Sequence, residues 1–241
     1  MVMIGQLNKF KKEENNLKKI SWRGCCALMA FFTVSFAIAF LTLAIWHYYK
    51  KINVVDLASE IWNNDNIEIA NRELIETKDD PFWGNPEAKI VIVEFSDFDC
   101  SFCWQMMPIL RELNSEYPNQ IKFIYRDFLK NTNSQKAAEA AQCANEQGQF
   151  LIYHDKLFLN QGNLDINNLK IYAREIGITN IDKFDNCLDT DQFELEVLQD
   201  CNEAEKLGVN GTPTFFVNGI KIEGARPKKF FEQIIEYFLN H

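Results

Sequence analysis

The sequence predicts an α/β domain with a helical insertion, preceded by one N-terminal apolar segment long enough to cross a membrane. Three observations carry this. Gly24 to Trp46 holds no charged residue over 23 positions. A strand–helix–strand pattern occupies Ile90 to Tyr125, and a strand–hairpin–helix pattern closes the chain from Thr214 onward. Between these two patterns lies a stretch with only helical periodicity.

The apolar segment comes first. A helix of about 20 residues spans a bilayer. Residues 1–23 carry Lys9, Lys11, Lys12, Lys18, Lys19 and Arg23 against Glu13 and Glu14, whereas only Lys50 and Lys51 follow the segment closely. This excess of cations places residues 1–23 in the cytoplasm and the remainder outside it. Trp22 suits the inner interface and His47, Tyr48 and Tyr49 the outer one. A cleaved signal peptide is the competing reading. Its small-x-small site would be Ala37-Ile38-Ala39, but the apolar run continues to Trp46, which favours an uncleaved anchor at 24–46.

Residues 47–80 are charged and Asn-rich and read as a spacer, with a short helix conceivable over 54–62. The domain is expected over 81–241, opening with the Gly84-Asn85-Pro86 turn. Ile90 to Phe95 is an almost continuous apolar run, as in a strand covered on both faces. Ser101 to Tyr117 repeats apolar residues at helical spacing, with Pro108 expected to kink it. Ile121 to Tyr125 is the second strand of a βαβ unit. The insertion, about 132–208, reads as helices: one capped by Ser134 and closed by Gly148, then 150–159, 168–176, 182–188 and 193–207. Thr214 to Val217, the Asn218-Gly219 turn and Ile220 to Ile222 form a hairpin, and Lys228 to Leu239 a final amphipathic helix.

Charge excludes one class of partner. The net charge is −9 and residues 1–23 are basic, so the exported part is strongly acidic. Nucleic acid is not expected. Seven cysteines are present, five of them after the anchor: Cys100, Cys103, Cys143, Cys187 and Cys201. Thiols tend to oxidise outside the cytoplasm, and an odd number leaves one over. Cys201, on a helix ahead of Gly211, reads as buried and inert. The histidines His47, His154 and His241 are scattered and point to no metal site, and no cofactor is expected.

Cys100-Ser-Phe-Cys103 follows the first strand and opens the first helix. Free N–H groups and the partial positive charge of a helix start favour thiolate over thiol, and the thiolate is the reactive species. The chain thus presents a dithiol/disulfide couple.

The stretches Glu94-Phe-Ser-Asp-Phe-Asp-Cys-Ser-Phe-Cys, Ala141-Gln-Cys-Ala and Gly211-Thr-Pro-Thr-Phe-Phe-Val-Asn-Gly together resemble bacterial DsbA-type thiol:disulfide oxidoreductases, over roughly Pro81 to the end. The resemblance is to membrane-anchored or exported members with a thioredoxin fold and a helical insertion. It implies Cys100 as nucleophile, Cys103 as resolving thiol and Pro213 as a cis-proline presenting Thr212 to a peptide. It implies Glu94 as proton acceptor for the buried thiol; a carboxylate in an apolar strand is costly without a purpose. It also implies a structural disulfide between Cys143 and Cys187. Phe98, Phe102, Trp104 and Met107 read as an apolar surface for unfolded chains, with core packing as the alternative.

The implied reaction is donation of the Cys100–Cys103 disulfide to reduced or unfolded exported proteins. A quinone-linked, DsbB-like membrane partner would restore it. Ser101-Phe102 stands where the best-known members have a proline or histidine, so backbone N–H groups and the Ser101 hydroxyl remain as candidate stabilisers of the thiolate. Two alternatives stay open. One is a reductase or isomerase, with 54–80 as a weak dimerising candidate. The other is a module without redox turnover that holds copper or zinc, with Met106 and Met107 nearby, or acts as a chaperone.

Overall fold

In a computed structural model of the chain, residues 38–46, 70, 75–77, 79–129 and 134–241 are described. Residues 38–46 are helical and belong to a separate unit from the one that holds the sheet. Among the described residues no helix is long and apolar enough to cross a membrane. Most of the expected anchor at 24–46, the expected helix at 54–62 and most of the spacer lie outside the described residues.

A mixed five-stranded sheet organises the second unit, in the order β1-β3-β2-β4-β5. Its strands are β1 (Phe82–Gly84), β2 (Ile90–Ser96), β3 (Ile121–Asp127), β4 (Thr214–Val217) and β5 (Ile220–Glu223). Strand β2 is buried at every residue, as its apolar run requires, between parallel β3 and antiparallel β4. Helix α1 (Ser101–Glu116) crosses from β2 to β3 and buries Cys103, Met106, Leu110 and Leu113, a 3-4-3 spacing that forms one stripe. Pro108 lies on its exposed side, and the helix runs through it.

Five helices follow: α2 (Gln135–Asn145), α3 (Phe150–Phe158), α4 (Ile166–Glu175), α5 (Ile181–Asp189) and α6 (Glu194–Lys206). Ser134 stands at the start of α2, but its side chain makes no cap bond, so the expected capping role is corrected. A disulfide between Cys143 and Cys187 joins α2 to α5 with 6.0 Å between Cα atoms. Asn218 and Gly219 both have positive φ, as a tight hairpin turn demands, and connect β4 to β5. Helix α7 (Lys228–Asn240) returns over the sheet with Phe231, Ile234 and Ile235 buried.

The two faces of the sheet carry separate cores. On one, Ile90, Ile92, Phe123 and Phe215 pack with α1, α7 and the insertion. On the other, Val91, Val93, Phe95 and Phe216 pack with Ile75, Ala204 and Val209. The packed unit therefore draws on residues ahead of Pro81. Ile75 is buried, the Ala70 N–H donates to Gly219 O, and Glu76 lies 3.7 Å from Lys122. Asp80 pairs with Arg126 at 3.2 Å. Arg126 faces inward from β3, and Asp200 at 2.5 Å and Glu203 at 2.5 Å complete its pairing. A buried guanidinium needs such partners, and they come from the segment ahead of β1 and from the last helix of the insertion. Strand β1 is antiparallel to β3 and was not expected. It requires Gly84 at φ +86, where a Cβ would collide with the Ile121 carbonyl.

Candidate active site

Helix α1 begins immediately after the loop that leaves β2. Asp97 shapes that loop: its carboxylate accepts the Asp99 N–H at 2.8 Å and its carbonyl the Cys100 N–H at 3.0 Å. Cys100 thereby becomes the residue that precedes the first helical turn, with extended φ and ψ. Its sulfur is half-buried, while Cys103, one turn on, is buried in the core.

Electrostatics separate the two sulfurs. A hydrogen bond from the Cys103 side chain, a Thr212 side-chain bond and the N–H groups of Cys103 and Phe102 bring the Cys100 thiol down to about 6, against the opposing effect of burial. When Cys100 is protonated its S–H reaches the Thr212 carbonyl at 3.4 Å, a bond that ionisation gives up. Burial pushes Cys103 far up, and the neighbouring Cys100 and Glu94 add to this. One sulfur is therefore a thiolate near neutral pH and the other a thiol.

Thr212 and Pro213 enter from the far end of the insertion. Their peptide bond is cis, and Pro213 is buried at the start of β4. Thr214 Oγ1 donates to Gly211 O at 2.7 Å, and Gly224 N–H to Pro213 O at 2.8 Å, which fixes the segment against β5.

Glu94 sits on β2 between Tyr125 and Phe215, on the face that carries Cys103. It is 3% exposed. Burial raises its carboxyl to about 8, against a bond from Ser96 Oγ at 3.0 Å and the field of Arg111. Below that pH the group is a neutral acid next to a buried thiol.

Cys100, Cys103, Glu94, Thr212 and Pro213 are thus brought to one place from two segments far apart in sequence. Phe102 and Trp104 are 57% and 46% exposed on the first turn of α1. Beside them a groove of about 490 Å³ runs between Trp104, Met107, Ile109, Leu159, Ala225 and Arg226. Phe98 does not join that surface, which corrects its expected role. It is fully buried, because α3 covers it: its ring lies 5.1 Å from those of Tyr125 and Phe158. Cys143 and Cys187 lie within the insertion, bonded to each other. Cys201 is half-buried on α6, accepts the Leu129 N–H at 3.4 Å and is raised by burial to about 11. Sequence reasoning missed Gln161. Its side-chain amide donates to the carbonyls of Phe98 at 2.8 Å and Cys100 at 2.9 Å, tying the insertion to the loop ahead of α1.

A protein-family model described as Thioredoxin matches residues 76–237. The chain belongs to the thioredoxin family. Among solved structures, a thioredoxin-like oxidoreductase from Silicibacter pomeroyi is 27% identical with a TM-score of 0.65, over 71% of this chain and 99% of that one. Wolbachia pipientis alpha-DsbA1 shares the fold at 23% identity and a TM-score of 0.62, over 70% of this chain and 94% of that one. The fold is the thioredoxin-like one that both solved structures share. A curated relative, the Na(+)/H(+) antiporter NhaA 1 of Salinispora arenicola, is 37% identical over 145 residues, which is 59% of this chain. The match spans only 22% of that relative's length, so the antiporter is a much longer protein than the part shared with this chain.

Proposed function

We propose that this thioredoxin-family chain is a thiol:disulfide oxidoreductase that works in the oxidising direction on exported proteins. The observation that carries the proposal is the division of labour between two sulfurs one helical turn apart: Cys100 accessible and acidic, Cys103 buried and basic. In the disulfide form a substrate thiolate attacks Cys100 Sγ, forming a mixed disulfide and expelling Cys103 as a thiolate. Cys103 takes a proton, for which the neutral Glu94 carboxyl is the placed donor. A second substrate thiolate then attacks the substrate sulfur of the mixed disulfide and expels Cys100, a good leaving group because its thiolate is stabilised. The substrate gains a disulfide and the enzyme becomes a dithiol, with two electrons and the accompanying protons accounted for.

The same stabilisation of reduced Cys100 favours an oxidising potential. The backbone next to Pro213 offers Thr212 to an extended peptide, and exposed Phe102 and Trp104 offer apolar contact beside it. The charge pattern around 24–46 supports an anchor with a cytoplasmic N-terminus and an exported catalytic domain. A quinone-linked membrane partner would reoxidise the dithiol, and anchoring raises the effective concentration of the pair.

Equilibration of the full chain with reduced and oxidised glutathione tests the direction. The proposal expects a potential above about −200 mV, whereas a value below about −250 mV assigns the reductase direction instead. No thiol exchange at all would leave the metal-holding or chaperone reading.

A further inference from the structure

Glu94 is sealed from solvent, yet each turnover requires it to lose and regain a proton. The route out is the question, and a cluster outside the described mechanism answers it. His154 on α3 is 1% exposed, and its Nδ1 lies 2.9 Å from Asp155 Oδ1. Asp155 is itself held by Arg111 of α1, Nε to Oδ2 at 3.1 Å and a terminal nitrogen to Oδ1 at 2.5 Å. The side chain of Asp155 is 34% exposed, so it reaches water. The shorter contact of Nδ1 is with the carboxylate rather than with Arg111 at 3.4 Å, which makes Nδ1 the protonated nitrogen. Nε2 is then a free acceptor, as in a His–Asp dyad.

Nε2 is buried and has no hydrogen-bond partner. Other buried atoms share that condition, and three of them lie in its neighbourhood: Tyr125 Oη, Trp83 Nε1 and one terminal nitrogen of Arg111. All four belong to side chains packed on one another. The His154 ring lies 5.4 Å from that of Tyr125 and 5.9 Å from that of Trp83, and the Arg111 guanidinium lies 5.0 Å from the Trp83 ring. Buried polar atoms are rarely left without partners. An internal water bonded by about three such groups is the usual solution. Tyr125 is the cross-strand neighbour of Glu94 in the β2–β3 register, so the cluster begins where Glu94 ends.

Building on the oxidoreductase reading above, we propose that the His154–Asp155 dyad exchanges the Glu94 proton with solvent, through the Tyr125 hydroxyl and an internal water that accepts from Tyr125 and Trp83 and donates to His154 Nε2. During closure of the Cys100–Cys103 disulfide, the neutral Glu94 carboxyl first gives up its proton, which passes by way of Tyr125 Oη and the water to His154 Nε2 while the Nδ1 proton leaves to solvent past Asp155. The Cys103 S–H bond then breaks and the Glu94 carboxylate accepts that proton. The sulfur electron pair remains on Cys103, which attacks the mixed disulfide on Cys100. The polar groups that face His154 are Arg111 from α1, Trp83 from β1, Tyr125 from β3 and Asp155 from its own helix. Burial and Arg111 keep the imidazole neutral, as an acceptor requires. His154 and Asp155 are positioning residues here, since neither touches a reacting sulfur.

The test uses full-length chain reduced and then mixed with oxidised glutathione. Two rates are followed by acid quench and mass mapping: glutathionylation of Cys100, and loss of that glutathione as Cys103 closes the disulfide. His154→Phe and Asp155→Asn should slow closure about tenfold or more and shift its pH profile, with glutathionylation within about twofold of wild type. Urea unfolding checks that each is folded, and the half-buried Asp155 site, where Asn keeps the shape, keeps the test valid if His154→Phe is unstable. Closure with unchanged rate and pH profile in a folded variant overturns the relay and leaves the oxidoreductase reading intact. A wild type that never becomes glutathionylated overturns both.

Discussion

Glu94→Gln isolates the cost of a buried carboxyl. Glutamine keeps the size and can keep the bond from Ser96, but it cannot ionise. In the unfolded chain the Glu94 carboxyl titrates at its ordinary 4.5, and in the native dithiol form at about 8. Between those values the native state holds a proton that the unfolded state has lost. Native stability therefore falls as pH rises through this window and is level outside it. The full difference is about 4–5 kcal/mol, of which roughly 3–4 kcal/mol falls between pH 5 and pH 8. Against a typical domain stability of about 5–15 kcal/mol this is large. The assay is urea unfolding of the full chain in a phosphine reductant at pH 5 and pH 8, with and without the substitution. Asp80, Asp200 and Cys100 also titrate in this range, but they do so in both proteins and largely cancel in the comparison. The variant should show a pH dependence flatter by the stated amount and should be the more stable protein at pH 8. Equal pH dependence, within about 1 kcal/mol, would mean that Glu94 is ionised in the native state throughout. Its role as proton holder for Cys103 would then fall.

Cys103→Ser should leave the attacking sulfur in place and remove the resolving one, so a mixed disulfide with glutathione accumulates on Cys100; mass mapping that finds none contradicts the assignment. Cys143→Ala with Cys187→Ala opens a cross-link that spans 44 residues of sequence and should lower stability by about 4 kcal/mol in urea unfolding. Gln161→Ala removes both donors to the Phe98 and Cys100 carbonyls and should cost about 1–3 kcal/mol, with faster amide exchange at Asp99 and Cys100; unchanged exchange there would show that the loop is held by Asp97 alone.

Features written in contiguous residues were legible in the sequence. The apolar run at Ile90, the stripe on α1, the Asn218-Gly219 turn and the Cys100-Ser-Phe-Cys103 motif each announce themselves within a few positions. Glu94 was legible because a charge interrupts an apolar strand. Features that depend on distant partners were not. Strand β1 is Phe82-Trp83-Gly84, too short to show alternation, and it exists because β3 offers a free edge. Phe98 looked like an exposed aromatic beside the motif, and only the packing of α3 buries it. Asp80 reads as spacer charge until Arg126 is seen to face inward from β3 and to need counter-charge. Gln161 has no local signal at all, since its two acceptors are backbone carbonyls on another segment. The dyad of His154 and Asp155 is adjacent in sequence, but its meaning comes from Arg111, Trp83 and Tyr125, which three other elements supply.

The central claim is that donors gathered at the start of α1 ionise Cys100 at neutral pH. The pH dependence of its alkylation by iodoacetamide, followed by mass mapping of the Cys100 peptide in the reduced full chain, measures this directly. The account predicts a rate that rises to a plateau with a midpoint near 6. A midpoint above about 8, the range of an ordinary thiol, would contradict it.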